Sequence, residues 1–226
     1  MTRGALLDFG GTIDTDGIHW MRMFEMAYRS TGLPTDTLRD AYVHAERTLG
    51  RTPLVTPDMT FRDTLRLKIG LQLQYLGIDT VPNAERILDF CYGRVTENIH
   101  SVSAQVLKIM SCRMPLVLVS NFYGNMRTVL QEFGIAGCFC DVVESSIVGV
   151  RKPDPEIFGI GVGRLGLEPG QVVVVGDSPD KDIIPAATAG CRTVWLAGKG
   201  WSEQAECRPD FRISSLRELP DLSLGD

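Results

Sequence analysis

The chain has 226 residues and a net charge of −5, with 44% apolar and 23% charged residues. That length suits one large domain or a core with a smaller unit, and it buries roughly 70% of the unfolded surface without disulfide staples. The acidic balance argues against a general nucleic-acid surface, and no charge block is long enough to form a disordered tail. The longest apolar stretches, "PLVLVS" and "VVVVG", are strand-sized and far short of the about 20 residues that cross a membrane. No basic region followed by a long apolar run opens the chain, so no secretory signal is expected. Cys91, Cys112, Cys138, Cys140, Cys191 and Cys207 are scattered, and "CFC" at 138–140 has no second thiol or histidine cluster to complete a metal site. Ordinary reduced thiols in a cytoplasmic protein are expected.

In chain order, "GALLD" (4–8) reads as a buried strand that ends on Asp8 and runs into the glycine-rich turn "FGGT". No convincing strand follows until residue 115. Helical patterns fill the interval: "TDTLRDAYVHAERTLG" ending at Gly50, "TFRDTLRLKIGLQLQYLG" with Phe61, Leu65, Ile69, Leu73 and Leu76 in phase, and "NAERILDFCYGRV" with Asn83 placed to cap. An ordinary crossover needs one helix, so most of this block is an inserted helical domain with edges near residues 16 and 95. "IHWMRMF" (18–24) reads either as a segment lining a ligand site or as an amphipathic helix packing Trp20, Met21 and Phe24 inward.

Past the block, strands and helices alternate. "PLVLVS" (115–120), "DVVES" (141–145), "QVVVVGD" (171–177) and "RTVWLA" (from 192) are strands. "GNMRTVLQEFG", "DPEIFGIGVGRLG" and "DKDIIPAATAG" are helices that stop at glycines, with Pro185 in a first turn or at a kink. Strands alternating with helices make an α/β, doubly wound, Rossmann-like parallel sheet, with residues 1–15 and 96–226 as its core and 16–95 as the insert.

Ligands of such a sheet bind beyond the carboxyl ends of the strands. There stand Asp8, Ser120 and Asp177, two carboxylates and a hydroxyl on one rim. Lys152 precedes Pro153, which biases it to an extended backbone from which a loop lysine can reach the rim. "GDSPDKD" adds Asp182, and clustered carboxylates suit an oxygen-ligated divalent cation such as Mg²⁺.

These stretches, taken together, resemble the haloacid dehalogenase superfamily, and specifically its phosphatase-like members with a helical cap inserted after the first strand. "DFGGT", "VSN", "RKPDPEIF" and "GDSPDKDIIPAATAG" match its four motifs in order. The resemblance implies a hydrolase in which Asp8 attacks phosphorus, Ser120 and Lys152 stabilise the phosphoryl group, and Gly11, Thr12 and Asn121 contribute to binding it. It implies Mg²⁺ held by Asp8, Asp177, Asp182 and the carbonyl of Gly10, a small phosphorylated substrate, and no nucleic-acid or membrane partner. Retained Asp177 and Asp182 favour phosphoryl transfer over the family's metal-free carbon–halogen hydrolysis.

One position departs from the pattern. The family's general acid/base is an aspartate two residues after the nucleophile, and here that place is Gly10. Asp14, Asp16 or His19 replaces it, or the leaving group needs little protonation, or the protein binds a phosphorylated ligand without turning it over. A phosphonate-cleaving relative has alanine at this place and uses a lysine of its cap, and here the block's one lysine is Lys68.

Overall fold

The computed structural model describes residues 1–78, 81–198 and 207–224. Six parallel strands form one sheet in the order β3-β2-β1-β4-β5-β6. They are β1 (Gly4–Leu7), β2 (Leu116–Ser120), β3 (Asp141–Glu144), β4 (Val172–Gly176), β5 (Arg192–Leu196) and β6 (Phe211–Ile213). β1 lies at the centre, between β2 and β4, and the order reverses direction there. This is the switch point at which a doubly wound sheet opens a ligand crevice.

The central strands are apolar on both faces because both faces are covered. Leu6, Val117, Val119, Val172 and Val174 pack with Ile157, Phe158 and Val162 of the helix Glu156–Leu165. The alternate residues Ala5, Leu7, Leu116, Leu118, Val173 and Val175 face the larger cluster, which runs on into the helices preceding β2. The period of two along each strand thus assigns every side chain to one layer.

Between β1 and β2 the chain forms α1 (Trp20–Ser30), α2 (Leu38–Arg51), α3 (Phe61–Tyr75), α4 (Val81–Asn98) and α5 (Ala104–Arg113). α3 starts from a capping box, in which Thr60 and Asp63 satisfy each other's backbone amides. The segment "IHWMRMF" enters α1, where Trp20, Met21, Met23 and Phe24 are buried. α4 begins at Val81, so Asn83 stands inside its first turn and not at the cap. The helix also runs through residue 95 to Asn98, and only a wide turn at 99–103 separates it from α5. The expected edge near 95 therefore falls within a helix, where no change of composition marks it.

Past β2 come α6 (Met126–Glu132), α7 (Ser145–Val148), α8 (Glu156–Leu165) and α9 (Ile184–Thr188). Pro185 sits in the first turn of α9, where its missing N–H costs nothing. β6 was not expected from the sequence. It is three residues long, pairs on one side only, and carries no apolar run to announce it. Among the described residues no helix is long and apolar enough to cross a membrane.

Phe61 is one of the side chains that seat the helical block on the sheet. Phe61, at the start of α3, meets Phe9 of the turn after β1, Trp20 of α1 and Phe133 after α6, with ring centroids 5.5–6.0 Å apart. Phe61→Ala should cost about 3–5 kcal/mol, the range for a buried phenylalanine. Urea unfolding followed by circular dichroism measures it, and a cost under about 1 kcal/mol would show that this contact does not anchor the block.

Candidate active site

Asp8 follows the last residue of β1, Ser120 ends β2, and Asp177 follows the last residue of β4. Asp182 stands on the turn that leads from β4 to α9. One carboxylate oxygen from each of Asp8, Asp177 and Asp182 lies within 4.8 Å of the others. Lys152 Nζ lies 2.6 Å from Asp8 Oδ1 and 2.6 Å from Asp182 Oδ1, and the lysine is buried.

Three ionised carboxylates around one ammonium would leave two negative charges in excess. Burial pushes the Asp8 carboxyl up to about 6, with Lys152 opposing and Asp182 adding to the rise. Burial raises Asp177 well above the usual carboxylate range, and the charges of Asp8 and Asp182 raise it further. Burial disfavours the charge on Lys152, but Asp182 and Asp8 outweigh it and hold the ammonium above the ordinary lysine value. Asp8 Oδ2 is buried with no hydrogen-bond partner. An orphaned carboxylate oxygen and two uncompensated negative charges fit a divalent, oxygen-ligated cation such as Mg²⁺.

Two glycines permit this crowding. Gly11 has φ +96°, and a Cβ there would stand 2.3 Å from Asp177 Oδ2. A Cβ on Gly176 would stand 2.4 Å from the Cβ of Asp182, so the bare backbone lets Asp182 fold back toward Lys152. Gly10 is different. Its φ of −79° and ψ of 109° suit any residue, and its Cβ would meet nothing closer than Trp20 Cδ1 at 3.9 Å. Neither strain nor space requires glycine at position 10.

Other predicted residues are placed around this centre. Ser120 is buried at the rim, and both it and Asn121 line a cavity of about 540 Å³ that also reaches Asp8 and Gly10. The Asn121 side chain accepts from Lys152 N–H at 2.9 Å and donates to Lys152 C=O at 3.0 Å, a clamp on the lysine that the sequence did not suggest. Thr12 is fully buried, with its hydroxyl near Asp8 but without a well-formed hydrogen bond. The Gly11 N–H donates to Asp14 Oδ1 at 2.7 Å, so this amide is engaged within its own loop.

The three groups weighed as stand-ins for the missing acid separate clearly. Asp16 accepts from Ser215 Oγ and Leu216 N–H, which ties it to the chain after β6. Asp14 is fully buried at the cavity wall and accepts from Gly11 N–H and from Trp20 Nε1 at 2.6 Å. Burial pushes its carboxyl up to about 7, against the pull of those two hydrogen bonds. His19 lines the cavity and caps α1, its Nδ1 accepting from Met21 N–H at 3.1 Å.

The packing of the helical block brings together groups that no single stretch of sequence joins. Glu46 of α2 takes Lys68 Nζ of α3 at 2.7 Å and the hydroxyl of Tyr123, in the loop after β2, at 2.7 Å. Glu144, ending β3, shapes that loop by accepting from Gly124 and Met126 N–H. Lys68 and Glu46 stand on different helices, far apart in the sequence. Only the packing of α2 on α3 turns them toward the cavity.

With fold and site in view, kinship is clear. The haloacid dehalogenase-like hydrolase model matches residues 3–190, and the chain belongs to that family. The chain is 42% identical over 147 residues to the glyceraldehyde 3-phosphate phosphatase of Methanocaldococcus jannaschii, covering 65% of this chain and 62% of that one. It is 36% identical over 107 residues to the phosphoserine phosphatase of Thermus thermophilus, covering 47% and 43%. These matches span about half the length of the curated relatives. A longer, weaker likeness, 29% over 208 residues, links it to the phosphoglycolate phosphatase of Vibrio vulnificus and covers 88% and 86%. Among solved structures, the magnesium-bound HAD-hydrolase YfnB from Bacillus subtilis superposes with a TM-score of 0.60 at 20% identity and 96% coverage of each chain. The L-2-haloacid dehalogenase of Xanthobacter autotrophicus gives a TM-score of 0.65 at 16% identity, covering 100% and 99%. At such identities the likeness is one of fold.

His19 yields a pH prediction. Burial, helped by Lys181, pulls its pKa down to about 4, so the folded ring is neutral at neutral pH. In the unfolded chain it takes up a proton near 6.5. Its contribution is therefore complete above about pH 6.5 and is lost as pH falls toward 4, by up to about 3 kcal/mol. His19→Asn, which keeps a capping acceptor, should flatten that acid limb. Urea unfolding at pH 7 and pH 4.5 checks this, and an unchanged difference between the two would exclude a buried neutral His19.

Proposed function

We propose that this chain is a Mg²⁺-dependent phosphohydrolase of a small phosphorylated metabolite, with Asp8 as nucleophile. The observation that carries the proposal is Asp8 itself, with one oxygen held by Lys152 and the other buried without a partner. A carboxylate fixed in that way presents a lone pair in a set direction, as covalent catalysis requires. Lys152 orients the nucleophile and neutralises charge on the incoming phosphoryl group, Asn121 keeps the lysine in place, and Asp182 shares its ammonium. Ser120 is the hydroxyl at the rim that donates to a phosphoryl oxygen. Asp8, Asp177, Asp182 and the Gly10 carbonyl would hold Mg²⁺, which supplies charge stabilisation of the transferring group when bound. Residues 16–95 act as the cap over this site, on a core formed by 1–15 and 96–226, and the protein works in the cytoplasm.

Asp177 and Asp182 favour this reading over carbon–halogen hydrolysis, because they add a charge excess that a metal-free site would have to bear. A Schiff base on Lys68 fits poorly, since burial is outweighed by Glu46, which keeps that amine protonated. A second reading, a phosphate-binding protein without turnover, rests on the bare Gly10.

Turnover of acetyl phosphate and p-nitrophenyl phosphate, with Mg²⁺ and with chelator, tests the proposal. Wild type should be active and metal-dependent, and Asp8→Asn should lose activity by more than about 10³-fold, since the attacking group is gone. Activity that survives this change within a few-fold would overturn the role of Asp8. Hydrolysis undiminished by chelator would overturn the metal.

Gly10→Asp tests the vacancy. The backbone accepts aspartate and the nearest atoms allow it, so a carboxyl there should raise kcat/KM on alkyl phosphates by about 10²–10⁴-fold, the usual worth of a general acid. Activated phosphates should gain much less in the first step. No gain on any alkyl phosphate, from a folded variant that binds Mg²⁺, would favour the binding reading.

A further inference from the structure

We infer that Lys68 is the residue that receives an anionic group, a carboxylate or a second phosphate, on the leaving portion of the substrate. The inference rests on the phosphohydrolase reading of the site and deepens it by naming the substrate class.

Four observations carry it. First, Lys68 projects from α3 into the cavity that contains Asp8 and Gly10, with 12% of its side chain exposed. Second, it is built in. Glu46 holds Nζ at 2.7 Å, and the rings of Tyr123 and Trp20 flank it with centroids at 5.2 and 5.8 Å. Glu46 is itself occupied on both oxygens, one by Lys68 and one by Tyr123, so it acts as a positioning residue rather than as a ligand group. An ammonium has three donors, and Glu46 takes one of them.

Third, Lys68 stands on the side of the cavity where the leaving group must go. Trp20 is the nearest neighbour of the space beside Gly10, and Lys68 Nζ lies 5.8 Å from the centroid of the same side chain's ring. The family resemblance implies that position 10 faces the leaving group, and on that reading whatever departs lies between Asp8 and this ring. Fourth, the remaining charges are mostly positive. Apart from Asp8, Asp177, Asp182 and Lys152, the cavity is lined by Lys68, Arg51, Arg151 and Lys181 against Asp14 and Glu46. Both carboxylates are already engaged by donors. A surplus of cations around the cavity favours a ligand that carries negative charge beyond its phosphoryl group, and desolvated charge-assisted hydrogen bonds give such a contact its strength.

Binding of three non-hydrolysable phosphonates, measured by calorimetry in Mg²⁺, tests the assignment. 3-Phosphonopropionate carries a carboxylate, 1,3-propylenediphosphonate a second phosphonate, and propylphosphonate no second charge. Wild type should bind one or both of the first two at least about tenfold more tightly than propylphosphonate, the range of a hydrogen bond to a charged group. Whichever of the two binds more tightly identifies the anion. Lys68→Met should reduce that preference to within about twofold, Lys68→Arg should keep part of it, and Glu46→Gln should weaken it by loosening the lysine. The Arg variant guards against a fold defect in the Met variant. A wild-type protein with no preference, including one that binds none of the three, overturns the assignment, as does a preference that persists in folded Lys68→Met. Failure of p-nitrophenyl phosphate turnover with the preference intact would instead overturn the hydrolase reading and leave the anion subsite in place.

Discussion

Asp8 and Asp182 are buried carboxylates that share one buried ammonium, Lys152, and much of the surrounding structure exists to make that arrangement possible. Taking such charges out of water costs several kcal/mol per ion, and removing one partner of a buried pair typically costs about 3–5 kcal/mol. The fold meets the cost with geometry. β1 and β4 are neighbours in the sheet and deliver Asp8 and Asp177 side by side. Gly176 lets Asp182 fold back, Gly11 makes room for Asp177, and Asn121 fixes the backbone of Lys152 from both sides. What remains uncompensated, two negative charges and one orphaned oxygen, is the part of the site that fits a cation.

The bare position at Gly10 takes its meaning from the same arrangement. The loop from Asp8 to Asp14 closes on itself through Gly11 N–H and Asp14, and Asp14 in turn holds the Trp20 indole. That ring sits beside Gly10 at ordinary contact distance. The cavity beside Gly10 is therefore lined by the Trp20 ring and by Lys68. No acid projects from position 10. Such a site suits substrates whose leaving group departs readily or is stabilised by charge, more than those that wait for a proton.

Much of this was legible in the chain. Strands β1 to β5 are short apolar runs, and three of them end on Asp8, Ser120 and Asp177, so the rim chemistry could be read directly. Family motifs then gave Lys152 and Asp182 their expected places. β6 escaped because an edge strand needs no continuous apolar run, and α4 hid its junction with α5 because one helix type passes into the next without a breaker. Glu46, Lys68 and Tyr123 were illegible as a group, since their meeting depends on α2 packing on α3 and on the loop after β2. No local pattern encodes a contact between residues 46, 68 and 123. Asn121 was singled out for the phosphoryl group, whereas its side chain is committed to the Lys152 backbone.

The proposed chemistry is a covalent phosphoryl transfer to Asp8 with no acid at position 10 to activate water for the second step. The first step should then outrun the second on a donor with a good leaving group. Intact-protein mass spectrometry of the wild type, quenched in acid within seconds of mixing with acetyl phosphate and Mg²⁺, should reveal the mass gain of one phosphoryl group. Peptide mapping should place it on Asp8, and Asp8→Asn should show none. Turnover of acetyl phosphate with no adduct on Asp8 at any quench time, or an adduct on another residue, would contradict it.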